Sequence, residues 1–238
     1  MIDSGKHNKT LENRLKQFRN SIDGAIVFTT SFGIEDQVIT HALVSGKLDI
    51  MIVTLDTGRL FQETLDVWSK TESRYDVRIS SVSPDAEKVS ELIENQGVLG
   101  FRENIENRKT CCHVRKVKPL EKALDGAMGW VTGLRSEQSQ NRQDVKLELR
   151  DENYNLIKLN PLYDWSRDQV LDYVSDNSVP YNILHDQGFH SIGCQPCTRA
   201  VASGEPERSG RWWWERKGSS ECGLHINEDG KIVRDYTG

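Results

Sequence analysis

No stretch of this chain approaches the roughly 18 consecutive apolar residues that a membrane-crossing helix needs, so no spanning segment is expected. The N-terminus, Met1-Ile2-Asp3-Ser4-Gly5-Lys6-His7, lacks the apolar core of a secretory leader, which argues for a cytoplasmic protein. There is no basic excess either: the net charge of −5 argues against broad nucleic-acid binding. Internal repeats and low-complexity segments are absent, and so is the Gly-Lys-Ser/Thr ending of a Walker A loop. Cysteine is scarce, five among 238 residues, and in a reducing compartment those five are not expected to form disulfides. What remains is long enough for one substantial core with a tail, not two equal domains.

The fold signal is an alternation. Residues 8–20 carry Leu11, Leu15 and Phe18 at helical spacing. Ala25-Ile26-Val27-Phe28-Thr29 is a continuous apolar run of the length of a buried parallel strand. It empties into Thr30-Ser31-Phe32-Gly33-Ile34-Glu35-Asp36, and a helix with Val38, Ile39, Ala42 and Leu43 on one side follows. The unit repeats: residues 49–54 predict a strand ending in Leu55-Asp56-Thr57-Gly58-Arg59, and residues 60–74 a helix with Leu65 and Trp68 inward. Residues 77–82 predict a third strand, and Pro84 opens a helix with Val89, Leu92 and Ile93. The spacing of Val114, Val117, Leu120 and Leu124 predicts a helix starting near Cys111 or bent at Pro119. Further strands are expected at 130–132 and 156–159, the latter followed by a helix capped by Ser166. Such alternation predicts an α/β fold with a doubly wound, mainly parallel sheet, its ligand crevice at the strand C-terminal ends.

Chemistry-bearing residues gather in three segments. Cys111-Cys112 runs into His113-Val114-Arg115-Lys116; Cys194-Gln195-Pro196-Cys197 forms a second pair; Cys222 stands apart in Glu221-Cys222-Gly223-Leu224-His225. Four paired thiols suit zinc or an iron–sulfur cluster, and the fifth suits a nucleophile. Adjacent cysteines reach one small ion poorly, whereas a cubane offers separate irons, which favours 4Fe–4S. Cations and His225 near Cys222 would lower its thiol pKa. The run Trp212-Trp213-Trp214 requires the tail to dock against something, and such an apolar tail also permits a homo-oligomer. Basic clusters at 115–118, 135–142 and 208–217 suit a small anionic substrate.

Taken together and in order, these motifs resemble the sulfonucleotide reductases, and within them the assimilatory adenosine 5′-phosphosulfate (APS) reductases that carry a 4Fe–4S cluster. The resemblance rests on Ser31-Phe32-Gly33-Ile34-Glu35-Asp36, Leu55-Asp56-Thr57-Gly58-Arg59, Cys111-Cys112 with Arg115-Lys116, Gly133-Leu134-Arg135 with Arg142, Cys194-Gln195-Pro196-Cys197, and Glu221-Cys222-Gly223-Leu224-His225. It implies a fold like the ATP-pyrophosphatase (adenine nucleotide α-hydrolase) type. An α/β domain over 1–207 would carry the cluster cysteines, and a mobile tail over 208–238 the nucleophile. It further implies that Thr29, Ser31 and Gly33 form a modified phosphate loop and that Leu55 and Gly58 contact adenosine. Arg135 or Arg142, with Arg208 and Arg211, would hold the phosphosulfate, while Lys116 sits between cluster and substrate. Cys111, Cys112, Cys194 and Cys197 would ligate the cluster, and Cys222 would attack sulfur with thioredoxin or glutaredoxin as reductant. The alternatives are a 3′-phospho-APS (PAPS) or dual-specificity reductase, an adenylating pyrophosphatase-type enzyme, and a non-catalytic iron–sulfur or zinc redox sensor. Phe32 stands against the adenylating reading, since it occupies a position where pyrophosphate needs glycine.

Overall fold

The computed structural model describes residues 4–215. Six strands form a single sheet in the order β3-β2-β1-β4-β6-β5: β1 (Ala25–Thr30), β2 (Met51–Leu55), β3 (Ser80–Val82), β4 (Ala127–Val131), β5 (Glu148–Asp151) and β6 (Leu156–Leu159). All neighbours run parallel except β5 with β6. Among the described residues seven α-helices accompany them: α1 (Ser4–Ser21), α2 (Ile34–Ser45), α3 (Gln62–Tyr75), α4 (Ala86–Gln96), α5 (Ile105–Cys112), α6 (Lys118–Ala123) and α7 (Arg167–Asp176).

The pleat explains the winding. Along β1, Ile26 and Phe28 face a core with α1, α2 and α7 that includes Leu15, Phe18, Val38, Trp165 and Val170. Val27 points the other way, into a core with Val53, Leu120, Leu124 and Trp130. A strand buried on both faces needs apolar residues at consecutive positions, which is why β1 is legible as an unbroken run.

Some expectations required correction. Leu65, expected inward, is 38% exposed, whereas Trp68 is partly buried and stacks on Phe32 with ring centroids 5.4 Å apart. The third strand forms only over Ser80–Val82 because the chain leaves α3 through left-handed Asp76 and Ile79 N–H donates to Glu72. Of the apolar face expected on α4, only Leu92 is fully buried. The edge strand β5 was not anticipated. The cysteine helix begins at Ile105, where the Asn104 side chain accepts from Asn107 N–H at 2.8 Å, not at Cys111.

The proline expected to break that helix is accommodated differently. A π-helical turn spans His113–Val117, and Lys118 N–H donates back to His113. Pro119 therefore falls in the first turn of α6, where no amide donor is required. The Ser166 cap is present as a capping box, with Gln169 as its partner. Residues 208–215, assigned by sequence to a tail, pack against the body: Arg211 and Trp212 are buried, and Arg211 bridges Thr198.

Candidate active site

The site begins where β1 ends. Ser31 donates through both its N–H and its hydroxyl to Asp36 Oδ2, each at 2.7 Å, closing the loop onto the first turn of α2. Phe32 adopts φ 58, a conformation usual for glycine, and its ring is buried against Trp68 and Val67 of α3. The loop thus has a glycine-like backbone with a side chain that locks it to the next helix. Gly33 caps α2 without a side-chain bond, leaving the helix N-terminus, the end that favours anions, without a side-chain cap.

The second loop follows β2. Gly58 N–H donates to Asp56 Oδ1 at 2.9 Å, and Arg115 from the π-turn donates to the Thr57 carbonyl at 2.8 Å. Thr57 also accepts from Cys194 Sγ at 3.4 Å, and Gln195 N–H donates to the Arg59 carbonyl at 2.8 Å. One five-residue loop therefore touches both cysteine segments.

These loops open onto a cavity of about 180 Å³ lined by Thr29, Ser31, Gly33, Leu55, Lys116, Arg142, Arg208 and Arg211, among others. It lies at the C-terminal ends of the parallel strands, where doubly wound sheets bind ligands. Gly58 and Arg135 are not part of its lining. Arg135, expected to clamp the anion, is fully buried between two carboxylates: Nε donates to Glu35 at 2.9 Å, and Nη2 lies 3.0 Å from Glu207 Oε2. Cys222 and His225 lie outside the described residues.

A cavity lined by three carboxylates as well as by cations needs its charges managed. Burial would raise the pKa of Glu35, but Arg135, a backbone hydrogen bond and Gln138 together outweigh it and hold the carboxyl below the usual range. Burial and the Glu35 charge push Glu207 up. Burial likewise lifts Asp36 to about 6, against the two hydrogen bonds from Ser31. His185, unremarked in the sequence, also lines the cavity; among the described residues neither ring nitrogen has a hydrogen-bond partner, and burial lowers its pKa. Nothing in the local sequence distinguishes it from an ordinary buried histidine.

Beside this cavity, Cys111, Cys112, Cys194 and Cys197 come together, all buried and none in a disulfide. Their small enclosure, about 10 Å³, is also lined by Arg59, Arg108, Arg115, Lys116 and Arg211. Among the described residues, no three His, Cys, Asp or Glu side chains converge tightly enough for one metal ion. A polynuclear cluster sets its four sulfurs farther apart, one on each iron. The donor set fits such a cluster in kind, four thiols facing five cations. The space does not match its size until the side chains turn outward. Burial opposes ionisation of Cys194, yet Lys116, the Thr57 hydroxyl, Arg211 and Arg59 together bring its pKa down. Burial and the neighbouring Cys194 charge push Cys197 to about 11. Trp212 closes the enclosure, and Arg108 lies 4.6 Å over its ring while pairing with Glu215.

Residues 25–200 match the phosphoadenosine phosphosulfate reductase domain. The chain is 50% identical over 209 residues to an adenosine 5′-phosphosulfate reductase of Agrobacterium fabrum, covering 88% of this chain and 80% of the relative. It is 45% identical over 214 residues to one of Allochromatium vinosum, covering 90% and 83%. Among solved structures it superposes on a phosphoadenylyl-sulfate (PAPS) reductase of Candida auris in a phosphate complex. That match has TM-score 0.68, 27% identity, and coverage of 83% of this chain and 96% of the other. An NMN synthetase of Francisella tularensis shares the fold, with TM-score 0.58, 14% identity, and coverage of 98% and 89%.

Proposed function

The chain belongs to the phosphoadenosine phosphosulfate reductase domain family, and we propose that it reduces adenosine 5′-phosphosulfate to sulfite and AMP. The observation that carries this reading is the shared wall between the two cavities. Lys116, Cys194 and Arg211 line both the nucleotide-sized cavity and the four-cysteine enclosure. The nucleotide-sized cavity is lined by the cations Lys116, Arg142, Arg208 and Arg211, suited to a phosphosulfate, and by the apolar Leu55, Leu120 and Trp130, suited to adenosine. Preference for the substrate without a 3′-phosphate is supported by the names of the 45–50% identical relatives and by the two cysteine pairs.

A 4Fe–4S cluster on Cys111, Cys112, Cys194 and Cys197 would supply fixed charge and polarisability beside the anion. The electrons come from elsewhere. Ser31, Gly33 and the first amides of α2 hold one end of the phosphosulfate, while Arg142, Arg208, Arg211 and Lys116 offset its charge and stabilise the departing phosphate. The Cys222 thiolate attacks the sulfur of APS. A sulfur–sulfur bond forms, the bond from sulfur to the bridging phosphate oxygen breaks, and AMP leaves with that electron pair. A thiolate of a thioredoxin-type dithiol then attacks Cys222 Sγ and expels sulfite. Its second thiol resolves the mixed disulfide, so the dithiol gives up two electrons and Cys222 is restored.

The test is sulfite release from APS with reduced thioredoxin. Cys222→Ser is expected to lose at least about a thousandfold of this activity, with APS binding and visible absorbance retained. If the variant loses its absorbance, Cys222 is a cluster ligand and this partition of the cysteines fails.

A further inference from the structure

The residue before the two tail arginines has a role that neither the motifs nor the cavity assigns. Glu207 lies far from Arg135 and Glu35 in sequence, yet all three meet in a buried bridge. Arg135 is 0% exposed and spans Glu35 at 2.8 Å and Glu207 at 3.0 Å. Arg167 approaches Glu207 from a fourth segment at 3.8 Å. The bridge ties together the N-terminus of α2, which shapes the first loop; the loop after β4; the start of α7; and the segment 207–211.

Among the described residues, that segment is also attached through chain 198–199 and Ser191. Arg199 N–H donates to the Gly210 carbonyl at 3.0 Å, Arg211 bridges Thr198, and Arg208 Nη1 donates to Ser191 Oγ at 3.2 Å. Those contacts hold the segment to the cysteine loop. The Glu207 bridge alone holds it, among these contacts, to the loop at the end of β1. A carboxylate placed in an anion cavity is unfavourable unless engaged, and here both oxygens accept from Arg135.

We infer that Glu207 is a positioning residue: through buried Arg135 it fixes Arg208 and Arg211 opposite the first loop, setting the span that a phosphosulfate must bridge. This rests on the reading of the cavity as an APS site. Arg135 acts through this bridge and not by touching the anion. Glu207→Gln keeps a hydrogen-bond acceptor for Arg135 while removing the charge, and Glu207→Ala removes both.

Two readouts are taken on the full chain prepared without air: equilibrium binding of APS and of AMP, and the rate of trypsin cleavage after Arg211 followed by mass spectrometry. Glu207→Ala is expected to weaken APS binding about tenfold or more, change AMP binding less than twofold, and speed cleavage after Arg211. Glu207→Gln should fall between wild type and Ala, and it carries the test alone if the Ala variant does not fold. Glu35→Gln, which touches the segment only through Arg135, should also speed cleavage after Arg211. Unchanged cleavage in all three variants, or equal losses for APS and AMP, overturns the inference. A wild-type protein that binds no APS sinks the functional reading instead, and the cleavage rates still decide whether Glu207 positions the segment.

Discussion

Asp36 lines the cavity at the strand ends, and its surroundings raise its pKa to about 6. Burial raises its pKa, and the Ser31 hydrogen bonds only partly oppose that. The native state therefore holds this proton more tightly than the unfolded chain does. Stability from this group is full at pH below the ordinary carboxyl value and declines as pH rises from about 4 through about 6. Asp36→Asn keeps an oxygen for Ser31 and abolishes the titration. The stability of the variant relative to wild type should rise between pH 4 and pH 7.5, by on the order of 3 kcal/mol. Urea melts at the two pH values measure this, and a pH-independent difference would refute it. Asp36 was visible in sequence as part of a motif. The neighbouring bridge from Glu35 through Arg135 to Glu207 was not, because residues 100 and 72 positions apart meet only through the sheet order. The arginine of Gly133-Leu134-Arg135 looked like a clamp for that reason: its partners are invisible to local reading.

At the level of elements, the plainest strand is β1, which is buried on both faces. β1 and β2 are continuous apolar runs, whereas β5, Glu148–Asp151, alternates exposed and buried positions on an edge and has only Leu149 as an apolar residue. The helical period found the cysteine helix but not its start, since Asn104 acts as a cap only once Ile105 begins the turn. The π-turn is likewise unreadable from periodicity, yet it seats Arg115 and Lys116 between the loop after β2 and the cysteines. The loop ahead of Cys194 is held to a close tolerance. A side chain added at Gly193 would run into the Arg211 guanidinium. That group is the end of a flexible side chain, so the fold can yield while the arginine moves. Gly193→Ala is accordingly expected to lower kcat/KM for APS about tenfold or more, with Tm changed by less than about 3 °C. A variant with wild-type turnover would show that Arg211 does not need this position.

For the molecule as a whole, the four thiols bring two distant segments of the chain into one small core. Cys111 and Cys112 close α5; Cys194 and Cys197 belong to the loop after α7; Leu92, Phe101 and Trp212 pack around them. This third core is small, and five cations border it, so without a negatively charged group inside it brings like charges together. A cluster bound there would offset that repulsion and add its binding free energy to the fold. Protein purified without air is therefore expected to be brown, with about four irons and four sulfides per chain. Cys197→Ser should lose the visible absorbance and melt about 5–10 °C lower, a loss of about 2–3 kcal/mol spread over a chain of this size. The thermal comparison separates a structural cluster from an incidental one, because a metal that stabilises nothing can leave without moving the melt. A colourless protein holding one zinc would overturn the cluster assignment. It would return the cysteine pairs to a redox-sensor or PAPS-type reading, while the cavity at the strand ends would stand as described.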